Sequence, residues 1–195
     1  MEKSLHPTSH TTGKNIVFGA IGGLVAGLVM APFLMIAAIL AGMPPETMPI
    51  AMGLMFGASY SKDIAMVVGF GMHMLTSILI GIIFGAVISV KKFWITGFRK
   101  GIVEGLITGM IAFVVLFIPI GMSVMPILMK MAAQMNPTMT EQQVMLMMQQ
   151  NMPMMMGVGI LEHLVYGTVL GSVTTALILK TGMERGQKHK QEYMK

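Results

Sequence analysis

Two histidines and one glutamate stand inside stretches of sequence that are otherwise apolar: His73, Glu162 and His163. An imidazole in such a place can carry a proton, ligate a metal ion, or hydrogen-bond a backbone carbonyl or a hydroxyl. A carboxyl there is protonated, paired or turned towards a partner, because an isolated buried charge is costly. The two histidines share a pattern. His73, Ser77 and Gly81 read His-x-x-x-small-x-x-x-Gly, and so do His163, Gly167 and Gly171, 90 residues further on. Glu162 is turned by roughly 100° from His163 around a helix, and is expected to be protonated, paired with His73 or directed at another protein. Glu104 lies one turn inside its apolar segment, within reach of Arg99 or Lys100.

Methionine supplies the second chemistry. It accounts for 26 of 195 residues, and half of these fall within 122–156. That stretch includes Met154, Met155 and Met156, the first outer loop adds more, and Met72 and Met74 flank His73. Thioether sulfur is a soft ligand that selects Cu(I), and imidazole also suits copper. His73, His163, Met72, Met74, Met154, Met155 and Met156 are therefore candidate copper ligands. The same methionines are equally suited to filling irregular gaps and adaptable interfaces. Thr138 and Glu141 fit a capping box, which predicts a short helix over 139–152 lying on the membrane surface or against a neighbour.

The elements that must position these residues follow from composition. With 54% hydrophobic and 11% charged residues and a mean hydropathy of +0.75, the chain belongs in lipid. Four apolar segments, near 16–40, 66–90, 101–125 and 155–179, each reach the ~20 residues that cross a hydrocarbon core as helix. The first is too long for the apolar core of a signal peptide and is read as retained. Eleven basic residues fall in the two termini and the 91–100 loop, against two, Lys62 and Lys130, elsewhere. The positive-inside rule then makes both termini cytoplasmic. Pro32 and Pro119 are expected to kink or end the first and third helices.

The spacing also repeats. Gly69, His73, Ser77, Gly81 and Gly85 correspond to Gly159, His163, Gly167, Gly171 and Thr175 at an offset of 90, while Gly19, Gly23 and Gly27 correspond to Gly101, Gly105 and Gly109 at 82. Small residues every fourth position let helix backbones approach in lipid, where no hydrophobic force draws helices together. The expected fold is an all-α integral membrane protein of four transmembrane helices, arranged as two tandem, parallel-repeated helical hairpins packed through glycine and small-residue stripes. Its parts are a cytoplasmic segment 1–15, a first hairpin 16–90, a basic cytoplasmic loop 91–100, a second hairpin 101–179 with its Met-rich outer segment 122–156, and a basic tail 180–195.

No cysteine is present, so disulfides and thiolate metal sites are excluded. No phosphate-binding loop, dinucleotide fingerprint or zinc-protease motif occurs, and neither does a nucleic-acid motif. With no catalytic residue to nominate, the chain is expected not to be an enzyme by itself.

On its hydropathy pattern and its duplicated His-x-x-x-small-x-x-x-Gly motif, residues 15–180 resemble small uncharacterised four-helix membrane proteins of archaea and bacteria with a duplicated helical hairpin. A Met-rich, cysteine-free membrane protein of this size also resembles an accessory subunit of archaeal copper-dependent ammonia monooxygenase. That second resemblance implies a membrane oxidoreductase complex whose active-site histidines and carboxylates reside in other subunits, and it carries no catalytic residue onto this chain. The expected function is thus a non-catalytic accessory subunit in the cell membrane, in contact with lipid and other integral membrane subunits. Cu(I) binding or delivery is the alternative, and a small channel or carrier a further one.

Overall fold

The computed structural model describes residues 9–58 and 61–192, and every regular element among them is helical. Helix α1 runs over Ser9–Leu40, the short α2 over Thr47–Met55 and α3 over Lys62–Val87. A single 3₁₀ turn, Lys91–Phe93, leads to α4, Phe98–Ala112. A π-helical segment, Phe113–Phe117, joins α4 to α5, Ile118–Met135, and α6 spans Glu141–Glu192. Four stretches are long and apolar enough to cross a membrane: Thr12–Leu40, Lys62–Val87, Phe98–Met135 and Glu141–Gly182. Helix is what such sequences must form in lipid, since no water is there to satisfy exposed backbone groups. The protein is all-α, with the spans of a multi-pass membrane protein.

Helix α1 packs along α3, α4 along α6, and α1 also along α6, whereas α3 and α4 barely touch. The close approaches occur at glycines. A Cβ placed on Gly81 would run into the carbonyl of Gly19, and one on Gly105 into that of Gly167. Gly22 faces the Thr174 hydroxyl and the Leu170 backbone, which lets α1 and α6 close together. The outward faces carry Leu, Ile, Val and Phe, among them Val67 at 67% and Ile83 at 61% exposure, as suits side chains whose solvent is lipid.

Several expectations are corrected. The separate surface helix over 139–152 does not form: α6 continues unbroken from Glu141 through Pro153. Nor does helix stop where the third apolar segment ends near 125, because α5 extends to Met135 and leaves only 136–140 as the turn. Gln, Met and Ala favour helix, and the apolar faces of α5 and α6 bury Val124, Leu128, Ala132, Val144 and Met148 together. The cap sits two residues later than expected. Gln143 N donates to Thr140 Oγ1 at 3.3 Å and Thr140 N to Gln143 Oε1 at 2.8 Å, a reciprocal pair that leaves Thr138 and Glu141 out.

Pro32 does not end α1, which continues to Leu40. Pro119 falls at the start of α5, directly after the π-helical segment. A proline has no N–H for the carbonyl four residues back and its ring crowds that carbonyl, and a locally widened helix relieves both.

Helix α2 forms within the first outer loop, where the apolar pattern predicts no helix. It packs on α3, with Gly53 against the Ala65 carbonyl and Gly69 against the Pro49 carbonyl, so Gly69 serves α2 rather than α1. Its start is tethered by Lys62 Nζ, which donates to Glu46 Oε1 at 2.6 Å. That hydrogen bond, with a smaller electrostatic contribution from the same lysine, holds the Glu46 carboxyl below its ordinary value.

Candidate functional site

His73 is fixed by α3 and α1 together. Its Nε2 donates to the Gly27 carbonyl at 3.1 Å, a bond possible because Gly27 presents no side chain at that seam. His163 is fixed within α6, its Nδ1 donating to the Gly159 carbonyl one turn earlier at 2.8 Å. Since a carbonyl only accepts, each bond assigns the ring proton: Nε2 in His73 and Nδ1 in His163. Nδ1 of His73 and Nε2 of His163 keep their lone pairs and bond to nothing among the described residues. Neither is sealed in as a buried, unpartnered atom.

The His163 ring is further clamped by two aromatic neighbours from the π-helical segment. Phe113 and Phe117 meet it edge-on, with centroids 5.4 and 5.3 Å away, and stack on one another at 5.1 Å. The proline-driven widening of the helix thus supplies the aromatic wall beside one imidazole. His73 has only a looser partner, Phe70 at 6.4 Å.

Both histidines line one cavity of about 410 Å³, situated at the end of the bundle that carries α2. Its walls come from all six α-helices, with Ala112 of α4, and from the π-helical segment, and it is bordered by eight methionines: Met30, Met48, Met52, Met122, Met125, Met152, Met155 and Met156. Polar groups are few, with Thr76, Ser77 and Tyr166 joining the histidines. Of its lining methionines, Met122 is 74% exposed. This arrangement can enclose an apolar body, or offer imidazole nitrogen and thioether sulfur to a soft ion.

The sequence candidates divide. His73, His163, Met155 and Met156 border the cavity, while Met72, Met74 and Met154 do not. Met74 packs at Gly27 in the α1 seam, and Met154 joins the cluster of Ala38, Ala41 and Met43. Glu162 is 1% exposed and is not paired with His73: its Oε1 has no hydrogen-bond partner among the described residues. Glu104 is met by Lys100 at 3.6 Å rather than by Arg99, and its second oxygen has no hydrogen-bond partner among the described residues.

Met30 borders the cavity although it lies outside the Met-rich outer segments. A signal for Met30 existed, since Gly22, Ala26 and Met30 make a second fourth-residue stripe on α1. Among the described residues no three His, Cys, Asp or Glu side chains gather as a metal-binding group.

Comparison with protein-family models, with curated proteins and with solved structures finds no match for this chain.

Proposed function

We propose that this protein is a non-catalytic accessory subunit of a larger membrane assembly, held in lipid by two tandem helical hairpins with both termini cytoplasmic. The contact pattern supports the duplication. Gly23 meets the Ser77 carbonyl and the Gly81 Cα, and Gly105, 82 residues on, meets the Gly167 carbonyl and the Gly171 Cα, each 90 residues on. The glycine stripes are then the seam of each hairpin, and the excess of basic residues at one end gives the orientation.

The observation that carries the accessory role is the arm formed by α5 and the first part of α6. Helix α6 has 52 residues, about 78 Å of helix against a hydrocarbon core of about 30 Å, so its Met-rich start projects beyond the lipid on the outer side. There it exposes Met145 at 47%, Leu146 at 50% and Met152 at 39%, among exposed glutamines. Adaptable apolar side chains standing outside the hydrocarbon suit a protein partner. Copper-dependent ammonia monooxygenase is the assembly that the resemblance proposes.

Mass spectrometry of the intact assembly, extracted from native membranes in mild detergent, tests this reading. Stoichiometric companions, lost when Met145 and Leu146 are both changed to Gln, are expected. Migration of the unaltered chain alone overturns it.

A further inference from the structure

We propose that the cavity at the α2 end is a Cu(I) site, in which His73 Nδ1 and His163 Nε2 are the nitrogen ligands and thioethers of the same wall complete the set. The assignment does not rest on the accessory role and is tested on the isolated chain, so either can fail without the other.

Three observations point to this ion. The first is the state of the imidazoles. A histidine that ligates a metal through one nitrogen characteristically donates its other ring N–H to a backbone carbonyl or carboxylate, which fixes the tautomer and aims the lone pair. His73 on Gly27 and His163 on Gly159 both have that arrangement, made through opposite ring nitrogens. Both residues line one cavity, and in each the nitrogen that does not donate carries the lone pair a metal ion takes.

The second is the company they keep. Met30 from α1, Met52 from α2, Met125 from α5 and Met156 from α6 border the same space, so four helices bring methionine to it. Among the described residues no third histidine, cysteine or carboxylate joins them, which leaves Zn²⁺ and Mg²⁺ short of the ligands they require. Sulfur and imidazole without thiolate or carboxylate is a soft set, matched to Cu(I).

The third is charge. In walls this apolar a divalent ion with neutral ligands would carry a heavy desolvation penalty, and a monovalent soft ion a smaller one. Two of the lining methionines, Met122 and Met152, are exposed and carry the same ligand type to the surface.

The experiment uses the full chain in detergent, loaded anaerobically with Cu(I) under a reductant and titrated against a chromophoric Cu(I) chelator, with X-ray absorption on the loaded protein. Expected are one Cu(I) per chain and a copper edge showing both nitrogen and sulfur neighbours. The pair His73→Leu and His163→Phe should weaken binding by at least about tenfold. Because those histidines also sit in helix seams, the shape-preserving pair Met30→Leu and Met156→Leu gives an independent reading, and should weaken binding while the fold is kept. The proposal is overturned if the native chain retains no Cu(I), as when a lipid tail or detergent fills the cavity. It is equally overturned if both variant pairs bind as the native chain does, or if the spectrum lacks nitrogen or sulfur.

Discussion

Tyr166 donates its phenolic hydrogen to the main-chain carbonyl of Ser77 over 2.7 Å, across 89 positions of sequence. It joins α6 to α3, and so ties the two halves of the bundle on the side where α3 and α4 barely touch. The ring is 2% exposed and packs with Ala26, Met30, Phe84 and Leu170 beneath the cavity. Tyr166→Phe keeps that packing and removes only the hydrogen bond. A buried bond of this kind contributes about 1 kcal/mol, and interhelical ones in lipid average somewhat less. Reversible unfolding in mixed micelles should show a loss of about 1 kcal/mol, and an unchanged midpoint would mean that the bond does not hold the halves together.

The glycines separate into those that a side chain would break and those that it would not. Gly105→Ala would drive a methyl into the Gly167 carbonyl, where backbone on both sides cannot yield, so a loss of about 1–3 kcal/mol is expected. Gly71, also within a helix, has nothing within 4 Å of its would-be Cβ. Gly71→Ala should be neutral or stabilising by up to about 1 kcal/mol, through lower entropy of the unfolded chain. Thermal unfolding of the two variants side by side decides it: equal effects would remove the seam from the account.

The four spans were legible because lipid imposes one rule, length and apolarity, that a single sequence displays directly. Their ends were not legible. The third span runs on through Pro126 to Met135, and the stretch 139–152 expected as a separate helix is continuous with the fourth span through Pro153. Helix α2 escaped notice because its nine residues pack through Gly53 and Pro49 rather than through an amphipathic stripe. Of the candidate site, the common register of His73 and His163 was readable from spacing. Which methionines border the cavity depends on how four helices are set against one another, and no periodicity within one helix carries that.

Thr140 and Thr138 provide a test in miniature of where α6 begins. Thr140 exchanges hydrogen bonds with Gln143, and Thr138 takes no part. Thr140→Ala should cost the arm about 1 kcal/mol and raise amide hydrogen exchange over 141–144. Thr138→Ala should leave exchange there unchanged, and the reverse order would return the cap to the position expected from sequence.

Glu46 gives the α2 tether a pH dependence. Its carboxyl is held below the ordinary value chiefly by the hydrogen bond from Lys62, so the unfolded chain binds the proton more tightly than the folded one. The contribution is therefore complete above the unfolded value and fades as pH falls through the lowered folded value. The pair is solvent-exposed, so the effect is small. Glu46→Gln should melt slightly below the native chain at neutral pH, and the two curves should converge as the solution is acidified below the ordinary glutamate range. A difference that persists in acid would mean that Glu46 acts through something other than its charge.

Glu162 tests whether a buried carboxyl is there for this chain or for another. It is 1% exposed, with one oxygen unpartnered among the described residues, and an unsatisfied buried polar atom costs about 1–3 kcal/mol. The residue 90 positions earlier is Met72, a side chain of similar length that makes no such demand. If nothing within the chain uses the carboxyl, Glu162→Met removes the cost, and the isolated protein should gain about 1–3 kcal/mol in reversible unfolding. A gain in isolation together with weakened recovery of companion subunits from native membranes would mean that the carboxyl is retained for the assembly. A loss in isolation would show that Glu162 already has a partner inside the bundle.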